Sequence, residues 1–167
     1  MGEAVVRRVT IADAAMARAL RLEMLADTPL AFLETIDEAA ARSHAQFKAK
    51  FSERVAGNQS ALFVAAADGR LVGQAGGFTP PGTRDVTLIY AVYLTPAWRG
   101  SGLLGRLIEA VAQWSRAAGR TELELEVVVG NDRAVRAYQR LGFVDTGLRA
   151  RHPTVPVLTE LKMRRTA

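Results

Sequence analysis

The spacing of apolar residues predicts two helices in succession near the start of the chain. After a short strand from Val5 to Val9, apolar side chains recur four residues apart, as on one face of a helix, until Pro29. A second apolar stripe at helical spacing runs from Ile36 to Val55 and ends at a Gly-Asn pair. Each segment starts with a threonine followed three residues later by an acidic residue, which is the pattern of a helix capping box.

The middle of the chain changes to continuous apolar runs of the length typical of buried strands. Ala61 to Ala67 and Leu71 to Gly77 are joined by Asp-Gly, which predicts a β-hairpin. A longer run, Val86 to Leu94, predicts a central strand that leads into a loop. The remaining segments are predicted to be a helix from Leu103 to Ala118, a strand from Leu123 to Val129, a short helix capped by Asn131, and strands near Phe143 to Leu148 and Val157 to Met163.

The order of these elements, β-α-α-β-β-β-α-β-α-β-β, indicates the fold class. It calls for a mixed sheet with helices on its faces, that is, an α/β (α+β) fold. No stretch of the 167 residues has the composition of a linker, a repeat or a low-complexity run. We therefore expect one domain over residues 1–167.

The absence of cysteine narrows the chemistry and the compartment. Without it there are no disulfides, no thiolate metal sites and no acyl-thiol enzyme intermediate, and a reducing compartment is favoured. The two histidines are isolated in sequence, so no metal site is predicted. No window approaches the ~18 apolar residues of a membrane span, and the first residues lack the apolar core of a secretion signal. We expect a cytoplasmic protein without a membrane partner.

The net charge of +5 lies entirely in the second part of the chain. Residues 1–98 hold ten basic and ten acidic side chains, whereas residues 99–167 hold twelve basic and seven acidic ones. A local excess of positive charge favours an anionic partner, such as nucleic acid, an acidic protein or a phosphorylated cofactor. Ordinary arginine-rich surface is the alternative explanation.

One glycine-rich turn stands where a predicted strand meets a predicted helix. Arg99-Gly100-Ser101-Gly102 opens the helix from Leu103, and Arg106 adds charge nearby. Backbone N–H groups and the positive helix end converge there, and glycine lets a phosphate approach without a Cβ in the way. The turn lacks the Gly-Lys-Ser/Thr of a Walker loop and the third glycine of a Rossmann fingerprint. It indicates either an anion site of another kind or tight strand-to-helix turning alone.

A second motif runs from Asn131 through Tyr138 and Leu141 to Gly142-Phe143. Taken with the glycine turn, it resembles the GNAT superfamily of acetyl-CoA-dependent N-acetyltransferases, and the element order agrees along essentially the whole chain. The resemblance implies a mixed, mostly antiparallel central sheet of six to seven strands flanked by four helices. It also implies acetyl transfer from acetyl-CoA, as co-substrate, to a primary amine.

The resemblance further implies which residues bind acetyl-CoA. The end of the central strand would pair with the pantetheine arm and polarise the thioester carbonyl, the glycine turn would cradle the pyrophosphate, and Tyr138 would stand near the sulfur as general acid. The family usually has Gly or Ala where this chain has Leu104, with Gly105 one place later. The implied set is Val92, Tyr93 and Leu94 in the strand, Arg99, Gly100, Ser101, Gly102, Leu103, Leu104 and Gly105 in the turn, and Asn131 and Tyr138 in the later helix.

The chemistry of acetyl transfer defines what the site must contain. Attack of a neutral amine on a thioester builds an oxyanion and expels a thiolate, so backbone donors and a proton source are needed. Tyr138 can donate a proton or a hydrogen bond, although it also lies at core spacing with Ala134 and Leu141. Because no cysteine can carry the acetyl group, direct attack in a ternary complex is favoured.

A general base is also needed, since a free amine is mostly protonated at pH 7. Our candidate is Glu34, because the turn between the first two helices borders the acceptor cleft in the GNAT family. The residues themselves do not single out one base. Each carboxylate has a solvated or ion-paired surface residue as its alternative, and His44, which lies on the apolar stripe of the second helix, has a core residue at the helix boundary as its alternative. The other candidates are Asp85, Glu122, Glu124, Glu126, His44 and His152.

The acceptor is predicted to be a small-molecule amine bound by residues 25–36 and 149–157, which the resemblance places at the acceptor site. Three alternatives stay open. They are acetylation of a protein amino terminus or lysine, a non-catalytic coenzyme A-binding module, and a nucleic-acid binder using Trp98 and the arginines of the helix after Asn131. We expect no nucleic-acid partner, and a homodimer is the default for a soluble enzyme.

Overall fold

The computed structural model describes residues 2–167 and contains seven strands and five α-helices in that range. The strands are β1 Val5–Arg8, β2 Ser60–Ala67, β3 Arg70–Phe78, β4 Val86–Leu94, β5 Glu122–Val128, β6 Val144–Arg151 and β7 Thr159–Thr166. The helices are α1 Ala14–Asp27, α2 Ile36–Ala41, α3 His44–Ser52, α4 Leu103–Ala117 and α5 Asp132–Arg140.

The seven strands form one sheet in the order β1-β2-β3-β4-β5-β7-β6. Every neighbouring pair is antiparallel except β4 and β5, which are parallel. The predicted hairpin at Asp68-Gly69 joins β2 to β3. The structure therefore confirms the predicted mixed, mostly antiparallel sheet.

Successive residues of each strand point to opposite faces of the sheet, and helices cover both faces. On one face, α4 packs through Leu107, Ile108 and Val111, which are fully buried. On the other face, α1 and α3 pack against Leu62 and Val64 of β2 and Leu71 of β3. Contact with α4 is close, since a Cβ on Gly77 of β3 would stand 3.0 Å from Val111 Cγ1. This packing fixes the start of α4 against the middle of the sheet.

The second predicted helix is wrong as a single element. It is two helices, because Arg42 is extended and Ser43 begins α3 with its own capping box. The Ser43 hydroxyl accepts from the Gln46 N–H at 3.1 Å, and the Gln46 side chain accepts from the Ser43 N–H at 2.8 Å. The described residues therefore form five α-helices rather than the predicted four. His44 lies at the exposed start of α3 and not on an apolar face.

Candidate active site

A large cleft opens where β4 and β5 separate. The two strands pair only at Val86–Leu88 and Glu122–Glu124, and beyond those residues they diverge. The gap has a volume of about 520 Å³, with residues 89–94 of β4 on one wall and residues 125–128 of β5 on the other. Within residues 2–167 no strand pairs with these two facing edges, so their backbone groups are available to a ligand.

The glycine turn lies at the end of this cleft, directly before α4. Gly100 and Gly102 line the cleft and have positive φ angles of 77° and 83°. A Cβ built on either residue would meet no protein atom within 4 Å, so both face open space. The first N–H groups of α4 have no acceptor inside the helix. The turn is thus an open cradle of backbone donors at the positive end of a helix, which suits an anion.

The packing of the residues after the cradle explains why the chain has Leu104 and Gly105 in this order. Leu103 is buried in the core, and Leu104 packs against the core while also lining the cleft. A Cβ on Gly105 would stand 3.2 Å from Leu141 Cδ2, so this glycine lets α4 approach the end of α5. The exposed Ser101 accepts from the Leu103 N–H at 3.4 Å. Gly105 therefore serves helix packing, whereas Leu104 contributes apolar surface to the cleft wall.

Arg99 is held by Asp27, the last residue of α1. Their charged groups are 2.6 Å apart, and the Tyr93 hydroxyl donates to the same carboxylate at 2.9 Å. Hydrogen bonds from Arg99 and Tyr93 lower the pKa of Asp27. Burial and Asp27 together raise the pKa of Tyr93 to about 12. Arg106 points elsewhere, donating to the Ala4 carbonyl at 2.9 Å, so Arg99 is the arginine that the turn itself brings to the cleft.

A bulge in β4 shapes the wall of the cleft that this strand forms. Ala91 has a φ of 53°, and the register between β3 and β4 shifts between Gln74 and Gly76. The buried Gln74 side chain donates to the Ala91 carbonyl at 3.0 Å and so holds the bulge. Bulges of this kind re-aim the strand that carries them. The three residues predicted to pair with a pantetheine arm, Val92, Tyr93 and Leu94, follow the bulge and line the cleft.

Helix α5 brings Asn131 and Tyr138 to the same cleft. Asn131 caps the helix, accepting from the Ala134 N–H at 3.3 Å, as its position in the sequence predicted. Tyr138 is half-buried, and its ring meets the Phe143 ring edge-on with centroids 5.8 Å apart. Burial raises the pKa of the Tyr138 phenol above its ordinary value. The hydroxyl therefore stays protonated at neutral pH and can act as a donor inside the cleft.

Glu34, the predicted base, lies in a different environment. It pairs with Arg21 at 2.9 Å and with Arg42, and it lines a second cavity rather than the cleft. Burial would raise the pKa of Glu34, but the hydrogen bond from Arg21 and the charges of both arginines outweigh it and lower the pKa. A carboxylate that is held ionised by two arginines is a weak base. The geometry therefore does not favour Glu34 in this role.

Two other carboxylates, Glu126 of β5 and Glu160 of β7, line the cleft. Glu160 pairs in register with Val128, two residues from Glu126, so the two carboxylates share one face of the sheet. Burial, and then the charge of Glu126, raise the pKa of Glu160 against an opposing effect of His152. Neither glutamate joins an ion pair among the described residues. Glu160 thus combines a cleft position with a weakly acidic carboxyl.

Glu126 is among the candidates predicted from the sequence, whereas Glu160 is not. The available signal was the alternation of β7, in which Leu161 and Met163 are buried and Glu160 points to the other face. This alternation does not show which side chains of other strands lie beside Glu160. Lys162, the adjacent cation on the same face, pairs with Glu124 at 2.9 Å and not with Glu160.

The remaining candidates have structural roles or lie outside the cleft. His152 is buried, and its Nδ1 accepts from the Val155 N–H at 3.0 Å. Trp98 packs against the core and is not an exposed stacking platform for nucleic acid. Asp85 and Glu122 do not line the cleft.

Within residues 2–167 no three His, Asp or Glu side chains cluster as metal ligands would. In the same range no helix has the length and apolar character needed to cross a bilayer.

Comparison with known proteins agrees with this architecture. The sequence model of the acetyltransferase (GNAT) family matches residues 22–143. The chain is 32% identical over 154 residues to aminoglycoside N(6′)-acetyltransferase type 1 of Stenotrophomonas maltophilia, covering 84% of this chain and 86% of that protein. A shorter match, 37% identical over 60 residues, covers 36% of this chain and only 26% of an uncharacterised N-acetyltransferase of Methanocaldococcus jannaschii.

A solved structure extends the likeness to the whole fold. Spermidine N-acetyltransferase from Vibrio cholerae, in complex with CoA and spermine, superposes with a TM-score of 0.75 at 18% identity. The match covers 98% of this chain and 95% of that chain. All the elements around the cleft are therefore part of a known arrangement.

Proposed function

Because the chain belongs to the acetyltransferase (GNAT) family, we propose that it transfers the acetyl group of acetyl-CoA to a primary amine of a small molecule, by direct attack in a ternary complex. One observation carries this proposal. The open glycine cradle, the free edge of β4 and the Tyr138 side chain all face a single cleft. These are the anion site, the backbone donors and the proton source that thioester aminolysis requires.

The residues present fit coenzyme A. Gly100 and Gly102 leave space for a pyrophosphate where any Cβ would project, and Arg133 and Arg140 line the same cleft. Apolar surface from Leu104 suits the uncharged pantetheine arm. Acetyl-CoA supplies the activated thioester carbonyl.

Three kinds of group in the chain take part in the proposed reaction. Free N–H groups along the edge of β4 stabilise the negative charge that develops on the carbonyl oxygen. Tyr138 donates a hydrogen bond or a proton to the departing sulfur. Glu160, whose pKa is raised by burial and by Glu126, accepts a proton from the attacking amine directly or through water. We propose Glu160 for this role in place of Glu34.

Relatives support the acceptor class. The bacterial relative at 32% identity is named for an aminoglycoside, and the solved relative was crystallised with spermine, so both names refer to small molecules with primary amines. Glu126 and Glu160 place negative charge where a protonated amine would arrive. Because the sequence holds no cysteine, we place the reaction in the reducing cytoplasm as part of the same proposal.

The cradle is tested by adding a Cβ to it. We expect Gly102→Ala to weaken binding of acetyl-CoA at least ~10-fold, because the new methyl group occupies the space that a phosphate needs and removes close access to backbone donors. Isothermal titration calorimetry with acetyl-CoA measures the change.

Gly119→Ala is the matched control. Gly119 stands just beyond the other end of α4, has a φ of 76° and also faces open space, so the backbone strain is comparable. We expect its affinity for acetyl-CoA to equal that of the wild type. Unchanged affinity of Gly102→Ala, or equal weakening in both variants, would contradict a pyrophosphate site in the cradle.

A further inference from the structure

A second cavity of about 510 Å³ lies beside the cleft, on the side of the sheet that α1 and α3 cover. It is formed by α1, the loop before α2, α2 with the residue that ends it, and α3 with the residues that follow it. We call it the arginine pocket. Its charged lining consists of Arg21, Arg42, Lys50, Arg54, Glu34 and Glu38.

Positive charge exceeds negative charge in the arginine pocket. Glu34 is shared by Arg21 and Arg42, and Glu38 accepts from the Thr35 N–H as part of a helix cap. Lys50 and Arg54 pair with no carboxylate among the described residues. Four cations therefore face two carboxylates, both of which are already engaged.

Arg21 is partly dehydrated and is crowded by the charges of two other arginines. Burial lowers the pKa of Arg21, and the charges of Arg54 and Arg42 lower it further, against the opposing effect of Glu34. Cations held together away from water favour an anion that can accept hydrogen bonds from several of them. Glu34 already demonstrates this chemistry, since one carboxylate is held by two of these arginines.

The arginine pocket shares a wall with the cleft. The Arg21 guanidinium carbon lies 5.6 Å from the centroid of the Phe32 ring, and that of Arg54 lies 5.3 Å from the centroid of the Tyr90 ring. Both rings line the cleft. A ligand that shifts Arg21 or Arg54 therefore acts directly on two side chains of the cleft wall.

We propose that the arginine pocket is a second binding site, specific for a carboxylate or phosphate group on a small molecule. Binding of the anion itself does not require the proposed acetyl transfer, although the first of its two sources, the amine acceptor, rests on the proposed function. Two sources can supply the anion. It is either the acidic tail of the amine acceptor, whose reacting end lies beyond Phe32 and Tyr90, or a separate anion that alters the cleft through the same two rings.

Binding is tested first, with probes that contain no amine. We expect succinate and inorganic phosphate to bind the wild-type protein saturably in calorimetry, with CoA present to occupy the glycine cradle. Arg54→Gln should weaken binding of both probes at least ~10-fold, because it removes a cation that no carboxylate within residues 2–167 neutralises. Arg54→Lys, which keeps the charge, should retain most of the affinity.

Arg84→Gln is the matched control. Arg84 is exposed in the loop before β4 and lines neither cavity, so the same change of charge should leave succinate binding unaltered. The Gly102→Ala variant should also keep it, even where acetyl-CoA binding is lost, which separates this proposal from the proposed function. No saturable binding by the wild type, or equal binding by wild type and Arg54→Gln, would overturn the proposal.

Kinetics then distinguish the two sources. If the anion belongs to the acceptor, ω-amino acids of suitable length will have lower KM values than their methyl esters, Arg54→Gln will abolish that preference, and succinate will compete with them. If the anion is a separate ligand, succinate will change kcat or KM for an uncharged amine without competing. Either result supports the site.

Discussion

Tyr138→Phe is expected to lower kcat for acetyl transfer by ~10- to 10⁴-fold while leaving the Kd for acetyl-CoA nearly unchanged. The substitution removes only the hydroxyl, so the ring keeps its edge-on contact with Phe143. Because burial raises the pKa of the phenol, Tyr138 remains a donor across the working pH range, and its loss leaves the departing thiolate without a partner. Steady-state kinetics and calorimetry on the same preparations measure the two quantities.

Tyr90→Phe serves as the control for this prediction. Tyr90 also lines the cleft, and its hydroxyl lies 3.3 Å from the Ser60 hydroxyl, so the variant removes one phenolic OH without touching the proposed donor. We expect a change in kcat of less than ~3-fold, as for loss of a single neutral hydrogen bond outside the chemistry. If both variants retain full activity, Tyr138 is a packing residue only.

Glu160→Gln is expected to lower kcat/KM by ~10²- to 10⁴-fold at neutral pH, the range typical of a lost general base. The base must be ionised, so activity falls as pH drops through the pKa of Glu160. That pKa is raised by burial and by Glu126, so the fall begins at a higher pH than for an ordinary glutamate. Protonation of the amine affects both proteins alike, so the ratio of wild-type to variant kcat/KM should fall toward one as pH decreases.

Glu126→Gln provides a second test of Glu160 as the general base. Removing the neighbouring negative charge lowers the pKa of Glu160, so the acidic limb of the wild-type profile should move to lower pH without loss of maximal kcat. A pH-independent ratio between wild type and Glu160→Gln would contradict the role of Glu160 as base. Glu34→Gln, measured beside them, shows whether the ion-paired carboxylate has any part in proton transfer.

Much of the fold could be predicted because its signals are local. The Asp68-Gly69 hairpin, the long β4 and the Asn131 cap each depend on a few adjacent residues. The break between α2 and α3 was missed for an equally local reason. Apolar spacing continues across Arg42 and Ser43, but the capping hydrogen bonds of Ser43 favour a new helix start over continuation.

The candidate site was less predictable because its key contacts join distant segments. Glu160 approaches Glu126 only through the register of β5 with β7, which no short pattern encodes. Glu34 is neutralised by Arg21 from α1 and Arg42 from the end of α2, so a free carboxylate in sequence becomes an ion-paired one in the fold. The glycine cradle was predictable because strand, turn and helix start are contiguous.

The most direct test of the account is amine-dependent release of CoA thiol from acetyl-CoA by the purified protein. The assay uses a panel of aminoglycosides, polyamines and amino acids, with mass spectrometry of the acceptor as confirmation. We expect at least one small amine to accelerate thiol release and to gain an acetyl group, and we expect Tyr138→Phe and Glu160→Gln to abolish most of this rate. Saturable acetyl-CoA binding without acetylation of any amine, including protein amino termini and lysines, would identify a non-catalytic coenzyme A-binding module and contradict it.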